Sequence, residues 1–142
     1  MFNFDDCFAL ITSRSAKIFA AALEKELKPY NVTRAQWIAM FYIYNSNNYI
    51  TQRQLANKVS SKEPTVVRLI QKMELDGLLF RTGSEEDKRI KYISLTEKGI
   101  KTCMELEPVV AKFKNDVVAD ISEKDLQTLT DVLDKMIRNT TK

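Results

Sequence analysis

The chain has 142 residues, 44% hydrophobic and 29% charged, with only 3 Gly and 3 Pro; this fits one mostly helical domain, residues 1–142, large enough for a real core. It contains no His, which removes the commonest metal ligand and general base, and its 2 Cys form no C-x-x-C pair, so neither a disulfide framework nor a zinc site is expected. No basic start leads into a long apolar core and no apolar run reaches membrane-spanning length, so the expectation is a soluble cytoplasmic protein with no membrane partner.

The first helix is expected over residues 5–28, where Phe8, Ile11, Ile18 and Ala22 form one apolar stripe with Phe19, Leu23 and Leu27 beside it. The next begins at the capping box Thr33-Arg34-Ala35-Gln36 and is apolar almost all round through Trp37, Ile38, Ala39, Met40, Phe41, Tyr42, Ile43 and Tyr44, which requires a central position. Its aromatic side chains either fill the core or, with Phe19, line a cavity; the candidate pocket is Phe19, Trp37, Met40, Phe41 and Tyr44.

A second capping box, Thr51-Gln52-Arg53-Gln54, starts a short helix with Leu55, Ala56 and Val59 as its apolar stripe. Two helical patterns meet at Ser60-Ser61, where Ser61 is the expected cap of a helix running to about Asp76, with Pro64 in its first turn. Val66, Leu69, Ile70 and Met73 share one face of that helix and Thr65, Arg68 and Lys72 the opposite one. A small hydroxyl with an Arg and a Lys on an open face suits a major groove. Gly77 closes the helix, and Leu78-Leu79-Phe80-Arg81 and Ile90-Lys91-Tyr92-Ile93-Ser94-Leu95 read as two strands of a hairpin around a polar loop. In extended chain Asp87 and Arg89 point to one side, so the carboxylate can aim the guanidinium. An aimed Arg at a loop tip suits a minor groove.

The net charge of +3 is uneven: +1 over residues 1–50, +3 over 51–92 and −1 over 93–142. The basic excess therefore falls on this helix-turn-helix-wing segment. After the wing, Val109, Val110, Phe113 and Val117 lie on one helix and Leu126, Leu129, Leu133 and Met136 repeat on the last. Wide apolar stripes at both ends serve either intramolecular packing or a dimer interface. There is no Gly-rich phosphate loop and no nucleophile beside a base, and Glu85, Glu86 and Asp87 read as a solvated turn, so no enzyme and no cofactor are expected.

The run KEPTVVRLIQKMELDGLLFR, the wing EEDKR and the following ISLTEKG resemble the MarR family of transcription regulators. The resemblance implies a mainly α fold with a small β-hairpin wing: a winged helix-turn-helix core at residues 33–96 flanked by dimerisation helices at 5–28 and 97–139. It implies a homodimer on a pseudo-palindromic double-stranded DNA operator, in many relatives a repressor released by a small aromatic or anionic effector. Two recognition helices would then meet successive major grooves about 34 Å apart. Carried over by position, DNA contacts fall on Lys62, Thr65 and Arg68 of the recognition helix and on Asp87 and Arg89 of the wing, with Lys72, Lys88 and Lys91 completing the DNA-facing set.

Two alternatives stay open. Cys7, in CFAL, resembles the thiol of a peroxide-sensing branch of the family, although Ile11, Ala21 and Arg34 stand where that branch has tyrosines that would favour a thiolate; otherwise Cys7 and Cys103 are small apolar packing groups. A winged helix can also be a protein-protein interaction module, which would have no need of Arg68 and Arg89 together.

Overall fold

The computed structural model describes residues 1–59 and 62–141. The chain divides into two units, residues 1–110 and 111–142. In the first, a 3-10 turn Phe4–Asp6 precedes α1 (Phe8–Leu27). The helix expected from residue 5 is interrupted because Cys7 is extended, at φ −84 and ψ 96. A second 3-10 turn, Lys28–Tyr30, ends on Asn31 in the left-handed region. Then come α2 (Arg34–Tyr44), β1 (Ile50–Thr51), α3 (Gln52–Lys58), α4 (Glu63–Leu75), β2 (Leu79–Gly83), β3 (Lys91–Leu95) and α5 (Glu97–Val117).

Both capping boxes form. The Thr33 and Thr51 hydroxyls accept from the N–H groups of Gln36 and Gln54, while the Gln36 and Gln54 carbonyl oxygens accept from the threonine N–H groups. Each pairing satisfies two backbone donors that a helix start otherwise leaves open, and it explains how Gln36 is tolerated at 5% exposure. The expected Ser61 cap lies outside the described residues; Lys62 stands at the cap position of α4 and Pro64 sits in the first turn as the sequence indicates.

The sheet has three antiparallel strands in the order β1-β3-β2, one more than the hairpin read from sequence. β2 and β3 pair from Leu79 with Leu95 to Gly83 with Lys91. Alternation on β3 turns Ile93 and Leu95 into the core and leaves Tyr92 and Ser94 half-covered. The core draws Leu27 from α1, Met40 and Ile43 from α2, Leu55 from α3, Val66, Ile70 and Met73 from α4, Leu79 and Ile93 from the sheet and Leu106 from α5. Each such aliphatic side chain contributes roughly 1.5–3 kcal/mol by leaving water. α2 is less central than its composition implies: Ala39, Met40 and Ile43 are buried, yet Phe41 and Tyr44 are exposed.

The junction into α5 is tight. The Thr96 hydroxyl donates to the Gly77 carbonyl (2.6 Å) and accepts from Gly99 N–H (3.1 Å), the Thr96 N–H donates to the Leu78 carbonyl, and Lys98 Nζ donates to the Asp76 carbonyl. The end of α4 and the start of α5 are thus fastened through three successive carbonyls. Gly77 has φ +74, which closes α4 in the left-handed conformation its side chain-free backbone permits.

In the unit of residues 111–142, α5 ends, Asp120 turns the chain in the left-handed region and Ser122 caps α6 (Glu123–Thr140) through the Asp125 N–H. α6 is amphipathic and buries no residue; Leu129, Val132 and Ile137 are exposed. No helix among the described residues is long and apolar enough to cross a membrane.

Candidate nucleic-acid interface

The 13 residues of α4 sort by face as their spacing dictates. Val66, Ile70 and Met73 are buried and Leu69 is half-buried, so Lys62, Thr65, Arg68 and Lys72 are left on the exposed surface. Arg68 has no ion-pair partner among the described residues. Lys72 differs: its ammonium lies 3.0 Å from Asp76 one turn later, which answers part of its charge within the helix.

The wing carries the second group. Its tip is not the extended chain anticipated from sequence; residues 84–90 lie outside the strands, with a bend at Glu85 and Glu86 and a turn at Lys88 and Arg89. The Ser84 hydroxyl accepts from the N–H groups of Glu86 and Asp87 (3.2 Å each), and Ser84 N–H donates to the Ile90 carbonyl. Inside this turn Arg89 donates twice to Asp87, Nε to Oδ1 and Nη2 to Oδ2, both at 3.0 Å, while Arg89 N–H also donates to Oδ1. The pairing expected of Asp87 and Arg89 is present, but turn geometry creates it. The Arg89 guanidinium pushes the Asp87 carboxyl below its ordinary range, with its backbone N–H adding to the effect, and Arg89 is correspondingly raised. Arg89 is nevertheless 91% exposed as a side chain, so it is oriented without being covered.

The two groups adjoin. Thr51, Gln52, Arg53, Glu63, Asp87, Arg89, Ile90 and Lys91 line one cleft of about 470 Å³ between the starts of α3 and α4 and the wing. It brings Arg53, which sequence reasoning passed over, beside Arg89 and Lys91. The exposed position inside a capping box was a signal for Arg53, but its neighbours come from a strand pairing some 40 residues away that local pattern does not show. The Gln52 Oε1 is buried without a hydrogen-bond partner. Lys88 is exposed at the tip. Behind the interface, Arg81 on β2 donates through Nη2 to Glu74 on α4 at 3.0 Å, a half-buried tie between wing and helix.

The other candidate residues are less assembled. Trp37 stacks on Phe41 with centroids 5.6 Å apart, Met40 is fully buried in the core, and Phe19, Phe41 and Tyr44 are exposed. With Met40 fully covered, the open aromatic surface here is that of Phe19, Phe41 and Tyr44. Cys7 is half-buried just before α1, and Cys103 is buried, its thiol pushed up by burial and by nearby Glu107. Among the described residues no cluster of His, Cys, Asp or Glu could hold a metal.

Comparison with known proteins bears on the fold. The model of the MarR family matches residues 30–90. The fold is similar to that of MepR from S. aureus, solved as a DNA complex, at TM-score 0.82 and 23% identity over 98% of this chain and 99% of that one. It is similar to a cysteine-to-serine mutant of MarR from E. coli complexed with operator DNA, at TM-score 0.86 and 20% identity over 96% and 97% of the two chains. AbsC, a MarR family transcriptional regulator from Streptomyces coelicolor, gives TM-score 0.87 and 21% identity over 99% and 97%.

Proposed function

We propose that this chain, a member of the MarR family through residues 30–90, is a sequence-specific DNA-binding transcription regulator rather than an enzyme. It acts in the cytoplasm as a homodimer on a pseudo-palindromic operator, as a repressor. α4 enters the major groove with Lys62 and Thr65 near its start and Arg68 reading a base; Lys88, Arg89 and Lys91 of the wing, with Arg53, meet the backbone and the minor groove. Lys72 has a lesser share because Asp76 holds it.

The observation that carries this reading is the exposed Arg68, without an ion-pair partner among the described residues, on the helix whose start shares a cleft with an Arg89 aimed by Asp87. A guanidinium matches the two acceptors on a guanine edge in the major groove, and a narrow A·T-rich minor groove attracts a second. MepR and the MarR mutant, both similar in fold, were solved with DNA, which supports the choice of partner. A small aromatic or anionic effector would bind near Trp37, Phe41, Tyr44 and Phe19, where aromatic surface lies open, and shift the spacing of the two reading heads.

Selecting duplexes from a random pool and measuring affinity against salt tests the reading. Binding should weaken steeply with salt, and Arg68→Ala should cost about 1–3 kcal/mol and relax base preference at one position per half-site. Absent or salt-insensitive duplex binding would favour a protein-protein interaction module instead.

A further inference from the structure

The short strand β1 pairs with β3 through Ile50 with Ile93 and Thr51 with Tyr92. Carried two residues back, the same register sets Asn48 opposite Leu95. The backbone cannot make that rung, because Asn47 and Asn48 both lie in the left-handed region at φ 58 and 56. The Asn48 side chain makes it instead: Oδ1 accepts from Leu95 N–H at 2.7 Å and Nδ2 donates to the Leu95 carbonyl at 3.3 Å. A primary carboxamide carries the same donor and acceptor as a peptide unit, so it can close the two-bond ring of an antiparallel rung. Asn is also the side chain best suited to the left-handed backbone after Gly.

We propose that Asn48 is a positioning residue for the wing, supplying through its side chain a third rung between β1 and β3; this rests on the DNA-binding reading. A two-stranded hairpin alone is marginally ordered. Here one end of β3 is fastened at Leu95 by Asn48, and Tyr49 stacks on Tyr92 with centroids 4.4 Å apart and planes 9° from parallel. The segment doing this runs straight into Thr51, the cap of α3. The other end of β3 is Lys91, two residues from Arg89. Asn48 therefore fixes the direction of the wing relative to the helix-turn-helix without touching DNA.

Asn48→Gly keeps the left-handed backbone accessible and removes the carboxamide; Asn48→Asp keeps the acceptor for Leu95 N–H and loses the donor. Both are made in the full chain and measured on the selected duplex in the native, Arg68→Ala and Arg89→Ala backgrounds, with amide exchange at Leu95. Asn48→Gly should weaken binding about three- to tenfold in the native and Arg68→Ala backgrounds and have almost no effect once Arg89 is gone, because the two act through one element. Leu95 exchange should accelerate, with Asn48→Asp intermediate in both readouts. Equal losses in all three backgrounds would mark a general structural role and overturn the proposal. So would undiminished binding of Asn48→Gly to a duplex that Arg89→Ala weakens, with the DNA-binding reading left intact. A native chain that binds no duplex would overturn both.

Discussion

Asp87 and Arg89 carry opposite charges toward the same proposed ligand, and which effect dominates can be measured. Removing the carboxylate in Asp87→Ala makes the wing more positive, which by Coulomb attraction alone would tighten DNA binding. It also removes three hydrogen bonds that fix the Arg89 backbone and one edge of its guanidinium. An exposed arginine free to sample many directions loses that orientation entropy on binding, so we expect Asp87→Ala to weaken the operator complex about three- to tenfold at fixed salt. Arg89→Ala should weaken it further and lessen any preference for A·T-rich flanks. Tighter binding by Asp87→Ala would show that the carboxylate only repels. The pH dependence has a definite sign: Asp87 is lowered by Arg89, so the orientation it provides is present above the ordinary aspartate value and is lost only as pH falls through the lowered one. With no His in the chain, operator affinity should be flat from about pH 5.5 to pH 7.5 at constant ionic strength. A titration within that window would contradict the assignment.

At the scale of elements, α5 lies tight against the segment that follows α4. A Cβ added at Gly99 would lie 2.0 Å from the Leu78 carbonyl oxygen and 3.2 Å from the Leu95 Cβ. The obstruction is backbone, which cannot turn aside as a side-chain tip would. Gly99→Ala should therefore destabilise by an amount at or above the upper end of about 1–3 kcal/mol, read as a lower denaturant midpoint. An unchanged midpoint would mean that α5 moves away at little cost. This junction also marks what was legible in the sequence. Thr33, Thr51 and Gly77 announce helix ends because capping and left-handed backbone are local properties of a few adjacent residues. Thr65 and Arg68 were placed by helical period alone. β1 was not, because Thr51 reads as the cap of α3 and Ile50 beside it gains strand character only from β3, some 40 residues on. Asn48 and Arg53 were missed for the same reason, and Arg81 with Glu74 likewise needs the fold before it reads as a tie between wing and recognition helix.

For the whole molecule, each unit leaves apolar surface that water should not hold in contact with a folded protein. In residues 1–110, Phe2, Phe4, Phe8, Ile18 and Phe19 are 52–70% exposed; in residues 111–142, α6 buries nothing while Leu129, Val132 and Ile137 are 49–58% exposed. A helix of 18 residues with a repeating apolar face draws most of its stability from covering that face. The homodimer proposed here covers the apolar faces of both chain ends, and its two-fold axis gives the two recognition helices the symmetry of a palindrome. The 142-residue chain should then sediment at twice its 16.4 kDa mass. Placing a charge on the apolar face of α6 with Val132→Glu should shift the equilibrium toward monomer. Since each monomer offers only one recognition helix, the variant should lose operator affinity most at low protein concentration and regain part of it as concentration rises. A native chain that sediments as a folded monomer at micromolar concentration would remove the dimer, and an affinity loss in Val132→Glu that ignores concentration would place the damage within the fold instead of between copies.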